Sequence, residues 1–280
     1  VPKRVDESAL QGITGCWLVF VDESGVGSQL VAWLRVRGQE VVEVRAGEQF
    51  CQSHPHGYVV NPRLEEDYDR LLDAVQSNGL PARIIHCWSV TADAPGSSLL
   101  TGLERVQDRG LYSLLSLARS WGRAATTSPT ALLVVANHIH EVTGDEIIRP
   151  DKASVLGACK VIPLEYPTIS CCCLDLTRAP ATSAWSPRSV GSVFSEIITP
   201  SSDPVIALRG TERWVQCFEP VRTDAPAESD SRLREGGVYL ISGGMGGIGL
   251  TLAEGLARRV QAKLLLVGRS PCPPAEEWEP

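Results

Sequence analysis

The sequence lacks long apolar runs: no stretch approaches the roughly 18 residues that a membrane helix needs. It also lacks any run of Lys and Arg, and its 26 basic residues face 33 acidic ones, for a net charge of −7. No nucleic-acid partner is expected from that balance. The opening Val1-Pro2-Lys3-Arg4-Val5 holds no Met and no apolar signal core, so neither a secretory leader nor a natural start is expected. No C-x-x-C pair occurs among the nine cysteines. Cys171, Cys172 and Cys173 are consecutive on a strand-like run, and strand neighbours face opposite ways, which makes them poor disulfide partners. Reduced, mostly buried thiols in a cytoplasmic protein are the expectation.

What is present is an alternation of strands and helices. Strands are predicted over Cys16–Val21, Glu40–Val44, Gly57–Val60, Arg83–Trp88, Ala131–Ala136 and Ser170–Asp175. One amphipathic segment starts at Pro62 after Asn61, with Leu64, Tyr68, Leu71, Leu72 and Val75 on one face. Another starts after Trp185 at Ser186-Pro187, with Val190, Val193, Phe194, Ile197 and Ile198. Asn-Pro and Ser-Pro supply a capping side chain and a preset φ at a first turn. The pattern predicts an α/β fold with a parallel sheet and helices on both faces. Val205–Leu208 and Trp214–Phe218, with Gly210-Thr211 between them, read as a β-hairpin. A polar stretch from Thr223 to Glu235 reads as a linker. The expected division is 1–220, a linker at 221–236, and 237–280.

The densest signal lies between Gly237 and Arg269. Val238-Tyr239-Leu240-Ile241 enters the cluster Ser242-Gly243-Gly244-Met245-Gly246-Gly247-Ile248-Gly249. A helical segment with Leu252, Ala253, Leu256 and Ala257 follows, then Leu264-Leu265-Leu266-Val267, closing in Gly268-Arg269-Ser270. Strand, glycine turn, helix and strand in that order raise the motif to a dinucleotide-binding unit. Gly243, Gly247 and Gly249 stand where a backbone turns tightly and approaches a pyrophosphate, and the helix start offers N–H groups and positive dipole to it. Ser242, Gly244, Met245, Gly246 and Ile248 complete the predicted turn. Arg269 and Ser270 close the second strand, where the adenine ribose is read. A guanidinium there suits the 2′-phosphate of NADP, where an acid would suit the free hydroxyl of NAD.

The two ends of the chain resemble each other. The shift that carries Gly27 onto Gly249 also carries Gly15 onto Gly237, Leu18 onto Leu240, and Gly25 and Val26 onto Gly247 and Ile248. Leu30 and Leu34 fall on Leu252 and Leu256, but Val21 falls where Gly243 stands. Two Rossmann-like units in tandem are expected, the first with a damaged phosphate turn.

The glycine unit resembles the short-chain dehydrogenase/reductase superfamily. Upstream segments narrow the resemblance to the ketoreductase domain of modular polyketide synthases, over nearly the entire chain. They are Cys16-Trp17-Leu18-Val19-Phe20, Val142-Thr143-Gly144-Asp145-Glu146, the stretch from Leu156 to Pro167, Cys173-Leu174-Asp175-Leu176 and Val205-Ile206-Ala207-Leu208-Arg209-Gly210. Pro273-Pro274-Ala275-Glu276-Glu277-Trp278 resembles the start of the family's next helix. The resemblance implies a truncated, catalytically silent Rossmann-like structural subdomain followed by the opening of an NADPH-binding subdomain. It further implies reduction of a β-ketoacyl group on an acyl carrier protein, with the rest of the catalytic subdomain and other polyketide synthase domains as partners. The superfamily's Tyr-x-x-x-Lys pair is absent: Lys3, Lys152, Lys160 and Lys263 are the only lysines, and none lies four residues after a Tyr. No catalytic residue is therefore assigned, and the chain alone is expected to be inactive with weak or no NADPH affinity. A non-catalytic pseudo-ketoreductase scaffold is the rival reading.

Other clusters point to structure rather than chemistry. Cys51, His54 and His56 lack the second group a tetrahedral metal site needs and read as a polar loop, so no metal is expected. Asn137-His138-Ile139-His140 follows a strand end and reads as satisfied structural polar groups. Asp145 and Glu146 read as a solvated turn after Gly144, and Cys171 to Cys173 as strand packing.

Overall fold

The structure, a computed structural model, describes residues 10, 12–13, 15–76, 81–91, 99–124, 128–177, 187–198, 202–210, 212–222 and 232–269. Its contacts divide the chain into two units, Val1–Cys217 and Phe218–Pro280. Most of the expected linker, 223–231, lies outside the described residues.

The first unit opens with β1 (Trp17–Phe20), α1 (Val26–Val36), β2 (Val41–Ala46), β3 (Cys51–His54), β4 (Gly57–Val60), α2 (Glu65–Gln76) and β5 (Arg83–Ser89). Helix α3 (Leu99–Gln107) runs through a π-turn at Asp108–Tyr112 into α4 (Ser113–Arg123). Then come β6 (Thr130–Asn137), α5 (Ser154–Glu165), β7 (Ile169–Leu176), α6 (Pro187–Ile198), β8 (Val205–Arg209) and β9 (Glu212–Val215). The nine strands form one sheet in the order β3-β4-β2-β1-β5-β6-β7-β8-β9. Every pairing from β4 to β8 is parallel, and only the outermost pairs, β3 with β4 and β8 with β9, are antiparallel. The order reverses between β1 and β5, the arrangement of a Rossmann-like sheet with its switch point beside β1.

A parallel sheet covered on both faces needs strands that are apolar on both sides. Trp17, Leu18, Val19 and Phe20 are all buried. Leu18 and Phe20 join a core with Tyr68, Leu71, Leu72 and Val75 of α2, Leu114 and Trp121 of α4, and Cys159 of α5. Trp17 and Val19 turn to the other face, with Leu30 and Leu34 of α1 and Phe194 and Ile197 of α6. At about 1.5–3 kcal/mol per buried large side chain, this one short strand anchors both layers. The Trp33 and Phe194 rings stack at 3.7 Å between centroids and join α1 to α6.

Several expectations are corrected here. Helix α2 begins at Glu65, not Pro62, because Asn61 to Leu64 close a turn: Leu64 N–H donates to the Asn61 carbonyl, and Arg63 N–H to Asn61 Oδ1. Leu64 is consequently exposed. Cys51 to His54 are not a loop. They form an exposed edge strand, so β2 returns to its parallel neighbour β4 through a hairpin rather than a helix. A hairpin thus stands where a helix more often joins parallel neighbours. Strand β9 stops at Val215, short of the expected Phe218. Ser186 and Thr211 lie outside the described residues.

The second unit holds β10 (Val238–Ser242), α7 (Gly247–Val260) and β11 (Lys263–Val267). The strands pair in parallel, with Leu240 opposite Leu265. The predicted consecutive β-α-β is present. Val238, Leu240, Leu265 and Val267 are exposed, while the alternate residues Tyr239, Ile241, Leu264 and Leu266 are half-buried.

Candidate functional site

In the second unit, Ser242 ends β10 and the backbone reverses at Gly243, whose φ of 73° favours a residue without Cβ. The amides of Gly243 and Gly244 both donate to the Val267 carbonyl, at 2.8 and 3.1 Å, and tie the turn to the end of β11. A Cβ on Gly249 would stand 2.4 Å from the Gly243 carbonyl oxygen and 2.6 Å from Gly244 Cα. This glycine lets α7 pack on the turn itself. Gly246 and Gly247 differ: a Cβ on Gly246 would meet only the Gly243 carbonyl oxygen at 3.4 Å, and one on Gly247 nothing within 4 Å. The chain's own packing does not demand glycine at those two positions. A cradle left bare over the start of a 14-residue helix fits a diphosphate. Met245 and Ile248 flank it, with Ile248 exposed. Arg269 is exposed two residues past β11, and Ser270 lies outside the described residues, as does the stretch from Pro273 to Trp278.

The corresponding turn of the first unit is filled from within. Asp22, which falls where Gly244 stands, is 4% exposed. Its carboxylate accepts from the amides of Ser24 at 2.8 Å, Val26 at 3.4 Å and Gly27 at 2.6 Å, the last two being the first residues of α1. Burial raises the Asp22 carboxyl above its ordinary value, against the lowering pull of these amides. The neighbouring Glu23 carboxylate accepts from Arg105 at 2.8 and 3.0 Å and from Arg109 at 2.7 Å. Its pKa is lowered, chiefly by the Arg109 hydrogen bond. Sequence reasoning noticed Val21 in place of a glycine but passed over both acids. An Asp aligned with Gly244, inside the glycine turn, was the available signal.

The remaining clusters separate. Among the described residues no group of His, Cys, Asp and Glu could hold a metal ion. Cys173 packs in the core and Cys171 against the same face, while Cys172 turns to the opposite core, as strand alternation requires. Glu146 is not solvated: its side chain is 3% exposed and pairs with Arg209 at 2.7 Å. It also accepts from the amides of Val142, Thr143 and Gly144. Burial would raise its carboxyl, but Arg209 and these amides outweigh it and hold the group well below the usual carboxylate range. Asp145 is exposed, as expected. Asn137 is satisfied: Oδ1 accepts from Thr91 N–H at 3.1 Å, Nδ2 donates to the Thr91 carbonyl, and Lys152 Nζ donates to Oδ1. Both His138 ring nitrogens and His140 Nε2 are buried without a hydrogen-bond partner, so for these rings the expectation of satisfied groups fails.

A switch-point sheet followed by a glycine-turn β-α-β defines a Rossmann-type α/β protein. Residues 15–185, more than half of the chain, match the family model described as "Beta-ketoacyl synthase-like, N-terminal", and residues 237–279 match the "KR domain". The chain belongs to the family of that first model, and its second segment matches the KR domain, the ketoreductase-type domain of polyketide synthases. One relative is a phenolphthiocerol/phthiocerol polyketide synthase of Mycobacterium tuberculosis, 27% identical over 166 residues. That match spans 59% of this chain and only 8% of the relative's length. A structure described as the adenylation, ketoreductase and pseudo Asub multidomain structure of a keto acid-selecting NRPS module is 27% identical, with a TM-score of 0.74. It covers 92% of this chain, and 21% of that one is matched. An N-terminal ketoreductase from a macrolactin assembly line shares the fold, at 22% identity, a TM-score of 0.64, and 92% and 49% coverage of the two chains.

Proposed function

We propose that this chain supplies the structural subdomain and the cofactor-cradling β-α-β of a ketoreductase that uses NADPH to reduce a β-ketoacyl group on an acyl carrier protein to a β-hydroxyacyl group. The reading rests above all on the bare turn Gly243–Gly249 at the start of α7, with Arg269 just past the second strand. When bound, NADPH supplies the hydride. Gly243, Gly246 and Gly247 let the backbone approach its diphosphate, and the α7 N-terminus stabilises the negative charge. Ser242, Gly244, Met245 and Ile248 shape the cradle, Gly249 seats the helix, and Arg269 with Ser270 is assigned to the 2′-phosphate. The first unit, taken as 1–220, braces the second, taken as 237–280, and the linker at 221–236 joins them.

No Tyr-x-x-x-Lys pair occurs in the 280 residues, so proton delivery to the carbonyl oxygen is not assigned to this chain. The chain alone is proposed to be inactive. The test has two arms. NADPH titrated into the 280-residue chain should show no micromolar binding. A protein carrying this chain together with a Tyr-x-x-x-Lys segment should oxidise NADPH in the presence of a β-ketoacyl thioester. Failure of the second arm removes the reading.

A further inference from the structure

In a Rossmann-like unit two features attract a nucleotide's anionic groups: the amides at the first helix's N-terminus, and cations at the C-terminal ends of the strands. The first unit possesses both. The amides of Val26 and Gly27 point out of α1. Arg105 of α3 and Arg109 of the π-turn line a cavity of about 300 Å³ with Gly47 after β2 and Asn61 after β4. Each feature already holds a carboxylate, and the two carboxylates come from adjacent residues of one turn. Asp22 sits on the helix amides, and Glu23 spans the two arginines.

We propose that the first unit is self-liganded: Asp22 and Glu23 take the positions of a bound anion and close this unit to nucleotide phosphates. Three observations carry this independently of the reaction proposed above. Asp22 stands at the sequence place of Gly244, so one turn carries a carboxylate where the other carries no side chain. It is almost wholly buried, away from the water that would otherwise solvate it. The arginines engaged by Glu23 belong to different elements from the turn, so the contact is a tertiary one that also clasps α3 to β1. An external phosphate would have to displace two charged groups held at high effective concentration. The turn is thereby ordered without a cofactor, which suits a unit whose part is to support another.

The test uses the full chain with inorganic pyrophosphate as probe, read at individual amides by NMR. In the wild type, the Val26 and Gly27 amide resonances should not move, whereas those of Gly247 and Gly249 report separately on the second unit. In Asp22→Gly combined with Glu23→Gln, the Val26 and Gly27 resonances should shift saturably, with an affinity at least about tenfold above that of the wild type at the same amides. Should the double variant not fold, Glu23→Gln alone leaves Asp22 in place and frees Arg105 and Arg109. Their side-chain Nε resonances should then respond to pyrophosphate. Movement of Val26 and Gly27 in the wild type would overturn the proposal, as would a folded double variant, or a Glu23→Gln variant standing in for an unfolded one, that stays silent.

Discussion

The two βα turns of this chain, Val21–Gly27 and Gly243–Gly249, solve one packing problem and diverge over what they leave open. Each brings its last glycine against the backbone of the turn: a Cβ on Gly27 would stand 2.9 Å from Val21 Cα, and one on Gly249 2.6 Å from Gly244 Cα. That glycine is retained in both because the helix cannot seat without it. The left-handed residue has moved, however. It is Gly243, directly after the strand, in one unit and Gly25, directly before the helix, in the other. With Val21 unable to take the left-handed turn cheaply, the chain turns later and Asp22 is delivered onto the helix amides. Glycines that the packing demands and glycines that it leaves free are thus distinguishable within one motif.

The comparison can be broken most severely with acid, which acts on the first unit. His86 is fully buried between Phe20 and Trp88, and burial lowers its pKa from 6.5 to about 3 despite the raising effect of a backbone hydrogen bond. An unfolded chain takes that proton near 6.5 and the folded one does not, so the stability is fully present above 6.5 and falls as pH drops toward about 3. The loss should be on the order of 4 kcal/mol. Glu146, held low by Arg209, adds a further loss as pH falls below 4.5. Tryptophan fluorescence melts across this range, with His86→Phe as the comparison, check it. A variant as acid-labile as the wild type between 6.5 and 4.5 would refute it.

Next in size are Gly27→Val and Gly249→Val, each forcing a side chain into backbone and costing about 2–3 kcal/mol in its own unit. Denaturant melts of both should agree; a harmless Gly27→Val would end the claim of a shared packing rule. Asp22→Ala removes the acceptor for the first amides of α1 and should cost about 0.5–2 kcal/mol, measured the same way. Smallest is Gly247→Ala, which meets no atom of the chain within 4 Å and should change stability by less than about 0.5 kcal/mol. In a protein competent for reduction it should weaken NADPH binding all the same, seen as a raised KM for the cofactor.

Much of the architecture was legible because local chemistry and global fold agree. Apolar runs such as Leu132 to Ala136 suit only a doubly covered sheet, and the Gly243–Gly249 cluster carries its own geometry. Edge strand β3 was not legible, since Cys51-Gln52-Ser53-His54 is polar and exposed and takes its shape from pairing with β4. Helix α4 hid its buried face behind Ser113, Ser116 and Ser120, which are buried beside Leu114, Leu117 and Trp121. Helix α5 is apolar on nearly every side, with Val161 and Leu164 exposed. The Glu146–Arg209 pair joins residues far apart in sequence, and no spacing rule reveals such a partner. The cradle was visible because its reasons are local; Asp22 and Glu23 were missed because theirs lie in α1, α3 and the π-turn.

The antiparallel strands at either border of the nine-stranded sheet have a consequence for assembly. A sheet of this kind grows by laying down further strands in the same direction, and β3 and β9 both reverse that direction. Each is four residues long; β3 is irregular between Gln52 and His54, and β9 opens with the charged Glu212-Arg213. Short, irregular, charged borders make poor templates for a stray chain. That protects this sheet from pairing with a strand of another chain while it folds.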